Sequence, residues 1–111
     1  PVWSRNVDLA YDLAIYVANW PAARAHAWNT LLRARAIENL AYVVGVNRIG
    51  QDGNEIQYQG DSALISYLGN DLLNLSNEDS IKTYSISKHE LIEFRAKFPT
   101  DLDADHFTLV N

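Results

Sequence analysis

The sequence contains no cysteine, so neither a disulfide bond nor thiol chemistry can come from its 111 residues. Positive charge is also scarce, because the chain has nine Lys and Arg against fourteen Asp and Glu. The resulting net charge of −5 argues against a broad basic surface for binding nucleic acid. No apolar run approaches the ~20 residues of a membrane span, and no signal-peptide pattern is visible. These absences favour a cytoplasmic protein without nucleic-acid or membrane partners.

What the sequence does contain is enough apolar material for one core. Hydrophobic residues make up 48% of the chain, which fits a single domain over residues 1–111. The basic residues between Arg24 and Arg35 fall on one predicted helix, which is typical of a solvated or subunit-facing surface.

The first half of the chain has the pattern of a β-α-β unit. The apolar run Tyr11–Ala18 predicts a strand buried on both faces, and Pro21 is well placed to begin a helix. The segment Ala22–Leu40 is rich in strong helix formers, and Ala41–Arg48 reads as the next strand. Two strands joined by a helical crossover are expected to be parallel.

The second half predicts short strands followed by one helix. Asp52-Gly53 indicates a sharp turn within a loop over residues 49–54, and Ser87 with Glu90 forms a capping-box pattern. Gly60 and Gly69-Asn70 suggest hairpins between neighbouring strands. The predicted elements are strands at Glu55–Gln59, Ser62–Ser66, Asp71–Asn74 and Ile81–Ile86, then a helix at Lys88–Phe98 and a tail from Thr100.

The simplest packing is an α/β fold, with one mostly β sheet and two long helices on one face. Helical spacing places an apolar stripe on the longer helix, which we expect to face the sheet. The stripe comprises Trp28, Leu31, Leu32 and Ile37, with Tyr16, Val43 and Val46 expected among its neighbours.

Several segments together resemble the carbon–nitrogen hydrolase (nitrilase) superfamily, in particular its ω-amidase-like branch. They are Asn19-Trp20-Pro21-Ala22-Ala23-Arg24, the helix end Arg33 to Asn39, and Tyr42 to Gly53. The resemblance covers essentially the whole chain and implies half of a four-layer α-β-β-α sandwich. It further implies that the chain is the C-terminal half of such a domain and begins just after the nucleophilic cysteine.

The resemblance also implies roles for individual residues. Asn19, Trp20 and Arg24 correspond to a wall of the substrate pocket, with Trp20 against the carbon chain of the substrate and Arg24 near a carboxylate. The family's catalytic Cys, Glu and Lys come from segments absent here, so Glu38 is not the general base and no catalytic residue, metal or cofactor is expected.

Three functions follow as alternatives. The first is the C-terminal portion of an ω-amidase-like hydrolase that cleaves small amides through a Cys thioester and is inactive by itself. The second is an engineered or isolated half-domain that self-associates. The third is a small-ligand binding module. Strands that are apolar on both sides predict a homodimer or higher oligomer, or association with the missing N-terminal half.

Two other segments have patterns similar to functional motifs. Gly60-Asp61-Ser62 is similar to a Gly-Asp-Ser esterase block, but the nucleophile of such a block needs a strand-to-helix turn and a His partner, and this one lies between short predicted strands. Asp101, Asp103, Asp105 and His106 lack the Gly turn and the terminal Glu of a calcium loop. We interpret both as structural.

Overall fold

A computed structural model, which describes residues 2–108 and 110, has a four-stranded sheet, a separate hairpin and two α-helices. The strand order in the sheet is β1-β2-β5-β6; β1 and β2 are parallel and the other neighbours antiparallel. The α/β class is therefore confirmed. The elements are β1 (Leu13–Ala18), α1 (Ala25–Glu38), β2 (Tyr42–Asn47), β3 (Ile49–Gln51), β4 (Gln57–Gln59), β5 (Ala63–Ile65), β6 (Asp71–Asn74) and α2 (Lys88–Lys97).

Helix α1 covers one face of the sheet. Trp28, Leu32 and Ala36, spaced four residues apart on one side of the helix, are buried against the strands. Their partners in the core are Val43, Ala63 and Ile65, with Ala14, Tyr16 and Ala18 packed at its margin.

Three of the expected core residues do not belong to it. Leu31 and Ile37 are exposed because they lie to either side of the Trp28–Leu32–Ala36 line on the helix surface. Val46 is exposed because it lies three positions after Val43 in β2, and side chains an odd number of positions apart in a strand point to opposite faces. Trp28, Leu32, Tyr16 and Val43 are where the sequence placed them.

The opposite face of the sheet is open along β1 and at the end of β2, whereas Tyr42 in β2 and Leu64 in β5 are buried on that same face. Ile15 and Val17 in β1 are 62% and 79% exposed, and Val46 in β2 is 45% exposed. The alternate residues of the same strands are covered by α1, so the exposure reflects the period-2 alternation of the strands. Whether this sheet is half of a four-layer sandwich stays a prediction.

Helix α1 is shorter at both ends than the expected Ala22–Leu40. Residues Ala22–Arg24 form a 3-10 turn, and α1 begins at Ala25. At the other end Leu40 has a φ of 46°, and the Ala41 N–H donates to the Ala36 carbonyl while the Leu40 N–H donates to that of Ile37. This is a Schellman ending with leucine in the position that glycine usually takes.

Two strand predictions were wrong and one hairpin was confirmed. β4 pairs with β3, from the segment expected to be loop, rather than with β5 across Gly60. β5 and β6 do pair across Gly69-Asn70, as expected. No strand is assigned over Ile81–Ile86; Ile81, Tyr84 and Ile86 instead line a groove with the open sheet face.

Helix α2 is fastened to the amino-terminal ends of β1 and β2. Ser87 Oγ accepts a hydrogen bond from the Glu90 N–H at 3.2 Å, which confirms the predicted cap. The buried Arg95 guanidinium, 8% exposed, donates to the Leu40 and Tyr11 carbonyls and to the carboxylate of Asp12.

Within residues 2–108 and 110, no helix has the length and hydropathy needed to cross a bilayer.

The close approach of α1 to β2 predicts a large difference between two glycine substitutions. A methyl group on Gly45 would lie 2.4 Å from Leu32 Cδ1 and 2.8 Å from Trp28 Cζ2. We expect Gly45→Ala to cost about 1–3 kcal/mol of unfolding free energy, measured by denaturant unfolding, because the helix must move away from the strand.

Gly53→Ala is the matched control, because no described atom lies within 4 Å of a methyl group placed there. Its effect should be neutral or slightly stabilising. Equal midpoints for both variants would contradict this packing.

The Asp12 contacts predict a dependence of stability on pH. Hydrogen bonds from Lys88 and then Arg95 lower the pKa of Asp12 below its ordinary value in the folded chain. Its contribution is therefore present above the unfolded-state pKa of about 3.9 and is lost as pH falls through the lower folded-state pKa.

We expect Asp12→Asn to lower the unfolding free energy at pH 7 and to flatten its decline below about pH 4. Asp103→Asn, at an exposed position in the C-terminal segment, is the control and should leave that decline unchanged. An equally steep decline in Asp12→Asn would show that the carboxylate contributes nothing.

Candidate functional site

The candidate site lies at the carboxyl ends of β1 and β2. Because the two strands are parallel, with Ala18 in register with Asn47, the segments that follow them emerge at the same edge of the sheet. In open α/β sheets this edge is where ligands commonly bind. The first of these segments carries Asn19, Trp20 and Arg24.

Trp20 is held as part of a small aromatic and cationic cluster. Its ring centroid is 5.7 Å from that of Trp28, and the Arg24 guanidinium lies 4.8 Å above the Trp20 ring. The indole Nε1 donates to the Arg24 carbonyl at 2.7 Å. Both the face and the edge of the indole ring are therefore contacted by the turn that follows it.

Local backbone chemistry explains this turn. The residue before a proline is biased away from the helical region, which disfavours a helix that begins at Trp20. Pro21 itself is extended, with φ −64° and ψ 146°. The Arg24 N–H then donates to the Pro21 carbonyl at 2.9 Å, which closes the 3-10 turn. This fold brings Arg24 back over Trp20.

The structure brings Trp20 and Arg24 into contact but gives Asn19 no comparable role. Asn19 and Arg24 are exposed, whereas Trp20 is half-buried. Arg24 therefore presents a guanidinium at the surface with one face on an aromatic ring, an arrangement that suits recognition of a carboxylate by its free N–H groups.

Asn47 is the residue at this site that sequence reasoning missed. It is the last residue of β2 and is 9% exposed, and its carboxamide bonds to the main chain of Trp20 and Gly60. The available signal was an asparagine on the same face of the strand as Val43 and Gly45. A buried polar side chain needs partners, so it predicts a specific contact.

The Gly60-Asp61-Ser62 turn closes the site from the side of β5. Ser62 Oγ accepts from the Asn47 N–H at 3.0 Å and donates to the Asn47 carbonyl at 3.1 Å. Trp28 Nε1 donates to the Asp61 carbonyl at 3.0 Å, and Asp61 Oδ2 accepts from Asn29 and Gln59. These contacts tie the Ser62 hydroxyl to a neighbouring strand, in keeping with the structural interpretation of this block.

The β3–β4 hairpin stands beside the turn of Ala22–Arg24. Arg48 lies 4.6 Å above the ring of the buried Tyr58, and the Tyr58 hydroxyl donates to Asp52 at 2.9 Å. The pKa of Asp52 is lowered mainly by the hydrogen bond from the Ile56 N–H and then by the one from the Tyr58 hydroxyl. The hydrogen bond to Asp52 in turn raises the pKa of Tyr58. Arg48 adds a second exposed guanidinium at this end of the sheet.

A groove of about 630 Å³ runs along the face of the sheet opposite α1. It is mainly apolar, and its walls include Asn47, Arg48 and Ser62 at one end. Further along it are Leu13, Val44, Val46, Leu64, Leu73 and Ile81.

The structure gives no support for a metal site at the described residues of the acidic C-terminal segment. Residues 2–108 and 110 hold no group of three or more His, Asp or Glu side chains arranged to bind a metal ion. Asp101, Asp105 and His106 line a second cavity of about 350 Å³ between the two termini, where Arg5 donates to the Asp105 carbonyl.

The family model that matches this chain is that of a carbon-nitrogen hydrolase, and the relatives similar to it include amidases. The family model described as carbon-nitrogen hydrolase matches residues 6–96. Over 110 residues the chain is 50% identical to the omega-amidase YafV of Escherichia coli K12. It is 36% identical over 87 residues to a 2-oxoglutaramate amidase of Paenarthrobacter nicotinovorans. The alignment with the E. coli protein covers 98% of this chain but only 43% of that relative's length.

Solved structures agree with the fold. The crystal structure of XC1258 from Xanthomonas campestris, a CN-hydrolase superfamily protein with an arsenic adduct in its active site, superposes with a TM-score of 0.95 at 50% identity. The superposition covers 99% of this chain and 44% of XC1258. A carbon-nitrogen hydrolase from Helicobacter pylori G27 has a TM-score of 0.76 at 22% identity, covering 88% of this chain and 39% of that one, which supports the fold alone.

Proposed function

This chain belongs to the carbon–nitrogen hydrolase family, and we propose from that membership that it supplies one wall of the substrate pocket in an ω-amidase-like hydrolase of small amides. The observation that carries the proposal is the Trp20–Arg24 pair at the carboxyl end of the parallel strands. Trp20 offers an apolar surface to the carbon chain of a substrate, and Arg24 offers N–H donors to a terminal carboxylate.

The chemistry of amide cleavage requires groups beyond these. An amidase that works through a thioester needs a thiolate nucleophile, and the 111 residues contain no cysteine. We therefore assign to this chain binding and orientation of the substrate, with the nucleophile outside it. The chain spans about 43% of the length of its omega-amidase YafV relatives, and this division of roles is compatible with that coverage.

The test of this function uses succinamate, a small dicarboxylic monoamide, on the 111-residue chain. We expect no ammonia release at enzyme-like rates of about 1 per second or more, because no thiolate can attack the amide. We also expect succinamate to shift the Trp20 indole N–H resonance in a heteronuclear NMR spectrum, because the ring lies beside Arg24.

Butanamide, which keeps the amide and the chain length but lacks the carboxylate, is the matched ligand control and should cause a smaller shift. Arg24→Gln should abolish the difference between the two ligands. Ammonia release would reject the claim that the nucleophile lies outside this chain. An unmoved indole resonance would reject the claim that Trp20 and Arg24 form a wall of the substrate pocket.

A second proposal concerns the partner of the open sheet face. Ile15 and Val17 form an exposed apolar surface that continues through Val46 into the groove, and it is larger than the isolated apolar residues that a monomer ordinarily exposes. We propose that the isolated chain covers this face with a second copy of itself, sheet against sheet about a two-fold axis. In a longer polypeptide the additional segment would take that place.

This geometry predicts opposite results for two charge substitutions. Val17→Glu places a carboxylate on the open face, so light scattering should show the mass of the assembly falling to that of a monomer at micromolar concentration. Leu31→Glu, on the outer surface of α1 at a position 43% exposed, should leave the mass unchanged.

The reverse result, with dissociation by Leu31→Glu alone, would place the contact on the helices and reject the sheet-to-sheet arrangement. If light scattering showed the unsubstituted chain to be a monomer, both the sheet-to-sheet contact and the helical contact would be rejected.

A further inference from the structure

The side chain of Asn47 replaces a missing strand partner at the end of the sheet. β1 ends at Ala18, opposite Asn47, and the chain turns away. Asn47 Oδ1 accepts from the Trp20 N–H at 2.7 Å, and Asn47 Nδ2 donates to the Trp20 carbonyl at 3.0 Å. The carboxamide thus pairs with both main-chain groups of Trp20, as a residue in a neighbouring strand would.

Asn47 is also hydrogen-bonded to the Gly60-Asp61-Ser62 turn. Nδ2 also donates to the Gly60 carbonyl at 2.9 Å, and Ser62 Oγ bridges the main-chain N–H and carbonyl of Asn47. Asparagine suits this position because its carboxamide carries one acceptor and two donors on a single short arm. Aspartate lacks the donors, and glutamine places them one methylene further away.

The consequence falls on the indole of Trp20. Its main chain is fixed on both sides of the α-carbon by Asn47, and the following Pro21 limits its backbone further. The ring is then directed onto Trp28 and under Arg24. We propose that Asn47 is a positioning residue that sets the orientation of the Trp20 ring, and thereby the shape of the pocket wall.

This inference rests on the proposed function only for what Trp20 does with a substrate. The orientation of the ring by Asn47 is a property of the chain without ligand. It can therefore be measured separately from the succinamate experiment, and either result can fail without the other.

The experiment compares Asn47→Asp with Asn39→Asp by heteronuclear NMR of the indole N–H groups, without ligand. Asn39 is a matched control because it is also a buried asparagine, which accepts from the Asn6 N–H and donates to the Arg35 carbonyl at the opposite end of the sheet. The chain has three tryptophans, and Trp20→Phe identifies the resonance of Trp20.

We expect Asn47→Asp to shift or broaden the Trp20 indole resonance and to weaken the near-ultraviolet circular dichroism of the Trp20–Trp28 pair. Asn39→Asp, which also removes buried donors, should leave both signals in place. If Asn47→Asp does not fold, Asn47→Gln takes its place, since it retains the donors and the acceptor at a displaced position. An unmoved Trp20 resonance in the folded Asn47 variant, or an equal shift in Asn39→Asp, would overturn the inference.

Discussion

The packing of α1 onto one face of the sheet is the constraint on which the rest of the structure depends. It requires a residue without a side chain at position 45, where Leu32 and Trp28 come close to the strand. With α1 at this distance, Trp28 lies under the sheet edge and reaches both the Trp20 ring and the Asp61 carbonyl. The core and the candidate site therefore share one side chain, and a change in helix packing is transmitted directly to the site.

Polar contacts define the two ends of the sheet in different ways. At the amino-terminal end the Arg95 guanidinium joins α2 to the main chain of Tyr11 and Leu40. At the carboxyl end the uncharged carboxamide of Asn47 performs the joining. A buried carboxamide with its hydrogen bonds satisfied fixes geometry without the desolvation cost of a buried charge.

The open face and the candidate site are linked through Asn47, which lines the groove and whose carboxamide bonds to the main chain of Trp20. The groove runs from Asn47 and Arg48 along the apolar side chains of the sheet. A second protein layer on this face would deepen the groove.

The sequence by itself determined the local features: the order of the main elements, the Ser87 cap, the β5–β6 hairpin, the parallel β-α-β unit and the family. These depend on periodicity, on turn chemistry and on motifs that are close in the chain. Tertiary structure alone decided the rest. Leu31 and Leu32 are equally apolar, so only the position of the sheet decides that Leu32 is buried. β4 paired with β3, and residues 81–86 found no strand partner, because pairing depends on which edges are free. The position of Asn47 on the inner face of β2 indicates that its carboxamide needs partners, but those partners lie 13 to 27 positions away, so only the tertiary structure decides which groups they are.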